Sequence, residues 1–563
     1  MRSVRKVALG PREMEVERRA GGIVHLRSPH RLEAFPDKIT ERLEYWAKAA
    51  PDRVLFAQRA GDGWRRLTYR EALERARRVG QYLLSKSLSA ERPLVVLSGN
   101  DLEHALLHLG AMYVGIPYAP ISPAYSLLSG DFAKLRAIFQ LLTPGLAFVS
   151  DRETFGKALK VVPCEVIDKA HELPPTPEVE KAHARVGPGT IAKFLFTSGS
   201  TGEPKAVINT QGMWCANQAM IQAALAFFRE EPPVLVDWAP WHHTAAGNHD
   251  FGLVLYNGGS YYIDEGKPLP GAIEATVRNL REIAPTWYFN VPKGFEALLP
   301  HLREDHALRE NFFSRLKVLW FAGAALSQHV FDEMKELAWR TAGEEILFLT
   351  GFGATETAPA TLARTWATDQ VADMGVPPPG VELKLVPLEA KYEMRVKGPH
   401  VTPGYWRASE LTARAFDEEG YYRLGDAFSF EHGVLLFKGR IAEDFKLSTG
   451  TWVHVGALRA RFIEHFAPLV RDVVIAGEGR HEVGALVFPA MSASRDAFLQ
   501  KLQTFESSGS SNRVARALVL DEPPSLDAGE MTDKGSINQR AVLRRRSALV
   551  EELYGDSTRV LHA

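Results

Sequence analysis

Apolar residues recur along this chain with two periods, and the alternation between them predicts layered sheets covered by helices. Behind the start signal Pro36-Asp37, the residues Ile39, Leu43, Trp46 and Ala47 recur at helical spacing. Thr68 followed by Glu71 forms a capping box, in which the hydroxyl accepts an amide hydrogen and the carboxylate reaches back. The helix it opens carries Leu73, Ala76, Val79 and Leu83 on one face. Pro93 and the apolar run to Leu97 predict a buried strand, broken at Gly99, Asn100 and Asp101. A helix from Leu102 and a second apolar segment at 116–119 complete a βαβ-like unit, and 146–149 and 166–167 predict further short strands. Strands alternating with helices define an α/β fold.

Residues 172–189 are polar and rich in Pro and Glu, which predicts a surface connection. The middle third, 191–380, is again apolar with many Gly interruptions, and 376–440 is short-stranded and rich in Gly and Pro. The remainder, 441–563, has the size of a separate small α/β domain. Within it, the Ser/Gly-rich segment 506–512 predicts an exposed loop.

Composition narrows the function classes. Hydrophobic residues make up 45% of the 563 residues and charged residues 24%, so the chain can bury a large core and is not a disordered tail. Lys and Arg number 67 against 68 Asp and Glu, which leaves no basic excess for nucleic acid or an anionic membrane. Cys164 and Cys215, the two cysteines, allow neither a disulfide framework nor a four-thiolate metal site. The first 22 residues are studded with Arg and Glu and lack the apolar core of a signal peptide. The apolar stretch 102–121 carries His104, His108 and Pro117 and falls short of a membrane span. These features predict a cytoplasmic protein whose partners are small molecules; they carry no reading of oligomeric state.

The most informative segment is Thr197-Ser198-Gly199-Ser200-Thr201-Gly202-Glu203-Pro204-Lys205, which follows an apolar strand. Gly lets backbone amides face an anion, hydroxyls add donors and Lys supplies charge, so the composition is that of a phosphate cradle. The Gly-Lys-Ser/Thr ending of a Walker loop is missing, which disfavours a phosphotransferase of that type. This segment resembles the signature loop of the adenylate-forming, AMP-binding superfamily. Other segments resemble that superfamily's motifs in the same order: Pro240-Trp241-His242-His243, Phe321-Ala322-Gly323-Ala324-Ala325-Leu326, Gly351-Phe352-Gly353-Ala354-Thr355-Glu356-Thr357, Tyr422-Arg423-Leu424-Gly425-Asp426 and Gly439-Arg440. Ala206 and Leu424 depart from its usual Gly and Thr.

The wording at both ends resembles the feruloyl-CoA synthetase branch. Ala206-Val207-Ile208-Asn209, the run from His243 to His249, Thr449 to Gly456, and Glu530-Met531-Thr532-Asp533-Lys534-Gly535 carry this likeness. The resemblance implies a large AMP-binding domain, 1–441, with acid and ATP sites, and a small mobile α/β domain, 442–563, with the catalytic lysine. It implies ATP, Mg²⁺ and coenzyme A as the compounds used, with a carboxylic acid as substrate. Implied catalytic residues are Lys534, Glu356, Thr355 and His243, with Glu356 also as the Mg²⁺ ligand. Nucleotide would be held by Thr197, Ser198, Gly199, Ser200, Thr201, Gly202, Lys205, Gly323, Ala324, Ala325, Phe352, Gly353, Asp426 and Arg440. Phe352 offers an apolar face to adenine, Asp426 an acceptor for ribose hydroxyls and Arg440 a fork for ribose or phosphate.

The resemblance puts the hinge at Ala442 or Glu443, with Lys446 and Gly450 on the CoA side. An acid pocket is expected from Trp238, Trp241, Gly247, Asn290, Val291, Gly351 and Thr357. Its aromatic and small residues suit a flat or apolar acid, and the feruloyl-like wording at both ends implies ferulate or a related hydroxycinnamate; a fatty acid or another aryl acid is the alternative, and an inactive nucleotide-binding relative a further one. A metal site among His242, His243, His249 and Asp250 is disfavoured in favour of pocket walls. Arg544, Arg545 and Arg546 are read as a solvated face, with attraction to CoA phosphates as the second reading.

Overall fold

The computed structural model describes residues 3–198, 203–324, 326–389, 391–491, 493–505, 509, 511–533 and 535–563. The capping box forms as its spacing predicts: Thr68 Oγ1 accepts the Glu71 amide at 3.3 Å, and Glu71 Oε2 accepts the Thr68 amide at 2.9 Å. The helix it opens, Tyr69–Leu84, buries Ala76, Val79 and Leu83. The strand Leu94–Leu97 is wholly buried, and Asp101 caps the helix Leu102–Tyr113 that follows it.

Leu94–Leu97 lies inside a six-stranded sheet ordered Pro204–Thr210, Ile191–Ser198, Tyr118–Pro120, Leu94–Leu97, Leu146–Val149, Glu165–Ile167. Only its first two strands pair antiparallel. A four-stranded sheet holds Trp287–Asn290, Val318–Phe321, Leu347–Gly353 and Ala360–Ala363 in that order. Another holds Val234–Asp237, Ser260–Ile263, Val54–Ala60 and Gly63–Thr68. The Gly/Pro-rich section forms an antiparallel six-stranded sheet that also recruits the N-terminal strands Glu15–Arg18 and Val24–Arg27. The fold is therefore mixed α/β, with a large N-terminal domain and a smaller C-terminal one.

Two apolar cores lie wholly in the C-terminal part, the first beginning at Phe445 and built over Val470–Ala476, Val483–Pro489 and Val514–Val519. The last residue that the antiparallel sheet adds to its own core is Phe437. Between them Ile441–Glu443 form one 3₁₀ turn.

The stretch read as a surface connection is largely exposed and holds an element of its own. The polar stretch 172–189 contains a helix, Pro177–Arg185, capped by Thr176 and started by proline. It buries Val179 and His183 and turns its charges outward, so its polarity is that of one face. Among the described residues no helix is long and apolar enough to cross a membrane.

Candidate active site

The glycine-rich loop joins two antiparallel strands, so Thr197 lies directly opposite Lys205 across a hairpin. A Walker loop instead leads into a helix. Thr197 and Lys205 line a cavity of about 910 Å³. Gly199, Ser200, Thr201, Gly202, Ala325 and Lys534, and the side chain of Ser198, lie outside the described residues.

Glu356 enters the same cavity from the turn Thr355–Thr357, which follows the strand Leu347–Gly353. Its Oε1 accepts a hydrogen bond from the Tyr405 hydroxyl at 2.9 Å, and Tyr405 in turn lies 2.8 Å from the Tyr422 hydroxyl. Burial and the Glu356 charge push both phenols well above their ordinary range, so they remain neutral donors at neutral pH. Lys205 Nζ sits 5.6 Å above the Tyr405 ring. Asp426, on the strand Tyr422–Glu431, is buried, and its Oδ1 is 3.1 Å from Arg440 Nε on the neighbouring strand. Burial pushes the Asp426 carboxyl up to about 6; Arg440 opposes that rise and Glu356 adds to it. Thr355, Gly323, Ala324, Phe352 and Gly353 complete this polar end, where Phe352 meets Phe428 edge-on at 5.1 Å.

The apolar end is built from Met220, Ile221, Ala224, Phe289, Trp320 and Leu362, with Gly351 beside them. A Cβ on Gly351 would come within 2.4 Å of the Leu362 carbonyl and 2.7 Å of the Trp320 ring, so only glycine leaves this wall open. His243 and His249 line the cavity from a π-helical turn, Ala245–Asp250, and the residues before it. That turn is tied down on every side. Lys193 Nζ donates to the Gly247 carbonyl at 2.8 Å, Trp214 Nε1 to the Asn248 carbonyl at 2.7 Å, and Asn248 Nδ2 to Asn209 at 2.8 Å.

Several residues expected in the acid pocket lie elsewhere. Trp241 is fully buried in the core, where its indole donates to the Tyr261 hydroxyl at 3.2 Å. Trp238 stacks beneath the Lys267 ammonium at 5.2 Å, outside the cavity lining. Gly247 is a packing glycine, since a Cβ there would meet the Trp241 carbonyl at 2.0 Å. Asn290, Val291 and Thr357 are also absent from the lining: Asn290 bonds Tyr288 and the Val291 amide, and Thr357 accepts the Ala354 amide to close its own turn. The residues that do form the wall include Met220, Phe289 and Trp320, whose apolar character alone does not set them apart from core. Tyr422 opens a motif segment, but neither it nor Tyr405 is set apart by residue type; position selects both.

The C-terminal part reaches the same cavity. Thr532, Asp533 and Ser536 line it, flanking position 534 in the chain. Asp533 Oδ2 stands 3.2 Å from His242 Nε2 and 3.4 Å from His243 Nε2. His249 takes no part in that cluster; its Nδ1 pairs with Asp250 at 2.7 Å. The loop before Asp533 is anchored by Arg546, which grips the buried Glu530 with two bonds of 2.7 and 2.8 Å and also donates to the Glu522 and Pro523 carbonyls. Arg546 is thus buried and paired, which corrects its reading as part of a solvated face.

At the joint between the parts, Ala442 is exposed, Glu443 is half-buried with its carboxyl raised by burial, and Asp444 is held by Lys391 and His454. Lys446 faces Glu389 at 3.4 Å, and Gly450 turns with φ +81°.

The cavity thus sets a carboxylate, a lysine beside a hairpin loop and a buried aspartate paired to arginine at one end, and an apolar wall at the other. The chain belongs to the AMP-binding enzyme family, whose model matches residues 43–406, and the model of the AMP-binding enzyme C-terminal domain matches 445–558. An anthranilate–CoA ligase of Pseudomonas aeruginosa is 30% identical over 309 residues, which are 52% of this chain and 54% of that enzyme. A feruloyl-CoA synthase of Amycolatopsis sp. is 27% identical over 64% of this chain and 70% of its own length. The matched stretch thus spans about half the length of the first relative. The crystal structure of the anthranilate CoA ligase AuaEII with anthranoyl-AMP superposes with TM-score 0.72 at 18% identity, covering 92% of this chain and 99% of that one. O-succinylbenzoate coenzyme A synthetase of Bacillus subtilis, with AMP bound, gives 0.71 at 15% identity over 90% and 98%.

Proposed function

We propose that this protein is an ATP-dependent acid:CoA ligase that forms an acyl-AMP and then an acyl-CoA. One observation carries the reading: a single cavity joins Lys205, Glu356, Asp426 and Arg440 at its polar end to an apolar wall, and residues beside position 534 reach into it. A carboxylate is a poor acyl donor because oxide would have to leave. In the first half-reaction a carboxylate oxygen attacks the α-phosphorus of ATP, the bond to the bridging oxygen breaks, and pyrophosphate leaves. In the second, the CoA sulfur attacks the acyl carbon, the bond to AMP breaks, and the thiol proton is released.

Each half-reaction has its residues in this reading. Asp426 accepts the ribose hydroxyls, Arg440 orients ribose or phosphate, and the hairpin loop with Lys205 and Thr355 surrounds the phosphates. The Glu356 carboxylate, which faces the cavity with a tyrosine hydroxyl on one oxygen, suits a hard cation, and Mg²⁺ held there would neutralise phosphate charge. Lys534 stabilises the charge that moves in adenylation. The chain divides at 441/442, and rotation about Ala442 or Glu443 brings Lys446 and Gly450 to the acyl-AMP for the CoA step. The gap between the cores, from Phe437 to Phe445, supports that division.

The substrate is a hydroxycinnamate such as ferulate, or a closely related aryl acid. The flat apolar wall supports this, and relatives named for feruloyl and anthranilate substrates agree with it. The test is a panel of aryl and fatty acids supplied with ATP, Mg²⁺ and CoA, read out as AMP and thioester. Hydroxycinnamates should give the highest kcat/KM; preference for long-chain acids would remove the aryl assignment.

A further inference from the structure

The apolar end of the cavity contains one polar feature that an apolar acid would not need. The elements Gln211–Ala224, Ala245–Asp250, Trp287–Asn290, Val318–Phe321 and Ala360–Ala363 line it, and among their described lining residues His249 is the one ionisable side chain. It lies at the far edge of the four-stranded sheet, with ring centroids 5.9 Å from Trp287 and 5.8 Å from Phe289. Its Nδ1 is fixed by Asp250, whose side chain is fully buried, at 2.7 Å. The backbone carrying it is held too: Gln218 Nε2 donates to the Asn248 carbonyl at 2.9 Å and to the His249 carbonyl at 3.3 Å. An oriented imidazole thus lines the cavity, and Nε2 is the nitrogen left to meet a ligand.

We infer that His249 is a specificity-determining residue that hydrogen-bonds a hydroxyl on the ring of the acid, so that hydroxylated aryl acids are selected over the same rings without it. This deepens the ligase reading and rests on it. Burial pushes His249 down to about 4 and Asp250 well above the carboxylate range, so the pair is neutral at neutral pH. Whichever of the two shares its proton across the Nδ1 bond, Nε2 is either a donor or an acceptor. A phenolic hydroxyl satisfies both cases, because it donates and accepts; a ring C–H satisfies neither. A buried imidazole left without a partner costs binding, which is how a site built for a hydroxyl rejects its absence.

The experiment compares p-coumarate with cinnamate, which differ by that hydroxyl alone, in the full-length enzyme and in His249→Leu and His249→Gln. Pyrophosphate release gives kcat/KM, calorimetric titration without ATP gives acid affinity, and thermal unfolding checks that each variant is folded. The wild type should favour p-coumarate by at least about tenfold. His249→Leu should bring the two acids within about twofold by losing p-coumarate while keeping cinnamate, and His249→Gln should restore part of the preference. Equal use of both acids by the wild type, or equal loss of both in folded His249→Leu, overturns the assignment and leaves the ligase reading standing. If no acid supports pyrophosphate release, the ligase reading fails and this inference falls with it.

Discussion

Asp533 Oδ2 lies between two histidines of the large domain, 3.2 Å from His242 Nε2 and 3.4 Å from His243 Nε2. Both rings and the carboxylate are mostly shielded from solvent. The contact ties Asp533 to the large domain at the cavity's rim, and in the proposed mechanism this is the arrangement that serves adenylation.

Asp533→Asn should therefore slow acid-dependent pyrophosphate release by about 10- to 100-fold, the range for losing a charge-assisted bond. Thioester formation from synthetic acyl-AMP and CoA should change by less than about threefold, because in the proposed mechanism that step follows rotation of the small domain. Equal loss of both half-reactions would show that the pair serves stability alone.

With Asp426 on the ribose, as proposed, nucleotide binding should depend on pH. The Asp426 carboxyl is raised by burial to about 6, and the ionised form accepts on both oxygens with charge-assisted strength, whereas protonation turns one oxygen into a donor. The KM for ATP should fall as pH rises through about 6, and Asp426→Asn should flatten that profile. The stability sign is opposite. Because the folded state binds the proton more tightly, this group's contribution to folding is complete below its unfolded pKa and is lost as pH rises through about 6. Thermal unfolding of the free protein against pH in that window checks it.

Much of this site is legible as sequence because its signals are local. The Thr68–Glu71 cap needs three residues, and the strand Leu94–Leu97 needs four apolar neighbours. Thr197, Lys205, Glu356, Asp426 and Arg440, far apart in the chain, do meet in one cavity. What is not legible depends on distant partners. Glu15–Arg18 and Val24–Arg27 become strands only by pairing toward Glu382–Leu388. The wider π-helical turn at 245–250 changes which residues share a face, and His249 faces the cavity while Trp241 faces the core. Arg546 reads as one more surface cation until Glu530, folded back from 16 residues earlier, buries it.

That last pair predicts a stability effect without a catalytic residue. Burial opposes ionisation of Glu530, but the Arg546 bonds and the Ser525 amide outweigh it and lower its pKa. Arg546→Met should leave the buried Glu530 carboxylate with Arg545 at 3.2 Å and the Ser525 amide as its remaining partners, and destabilise the C-terminal domain by about 1–3 kcal/mol. A lowered first transition in thermal unfolding would register it; an unchanged melt would place Glu530 in contact with water.

Lys534→Ala separates the half-reactions more sharply still. A lysine that acts only while charge moves between carboxylate and α-phosphate matters to adenylation alone. Pyrophosphate release should fall by several orders of magnitude, while thioester formation from acyl-AMP persists and the melt is unchanged. If neither half-reaction falls, the lysine assigned by the motif is an ordinary surface residue.

The central claim is that the acid's own oxygen attacks the α-phosphorus of ATP. Supplying p-coumarate labelled with ¹⁸O in its carboxylate, with ATP, Mg²⁺ and CoA, tests this in one mass spectrum. The account predicts AMP carrying one ¹⁸O on its phosphate, unlabelled pyrophosphate, and a thioester that keeps the other label. Label recovered in inorganic phosphate, with ADP as the nucleotide product, would contradict it.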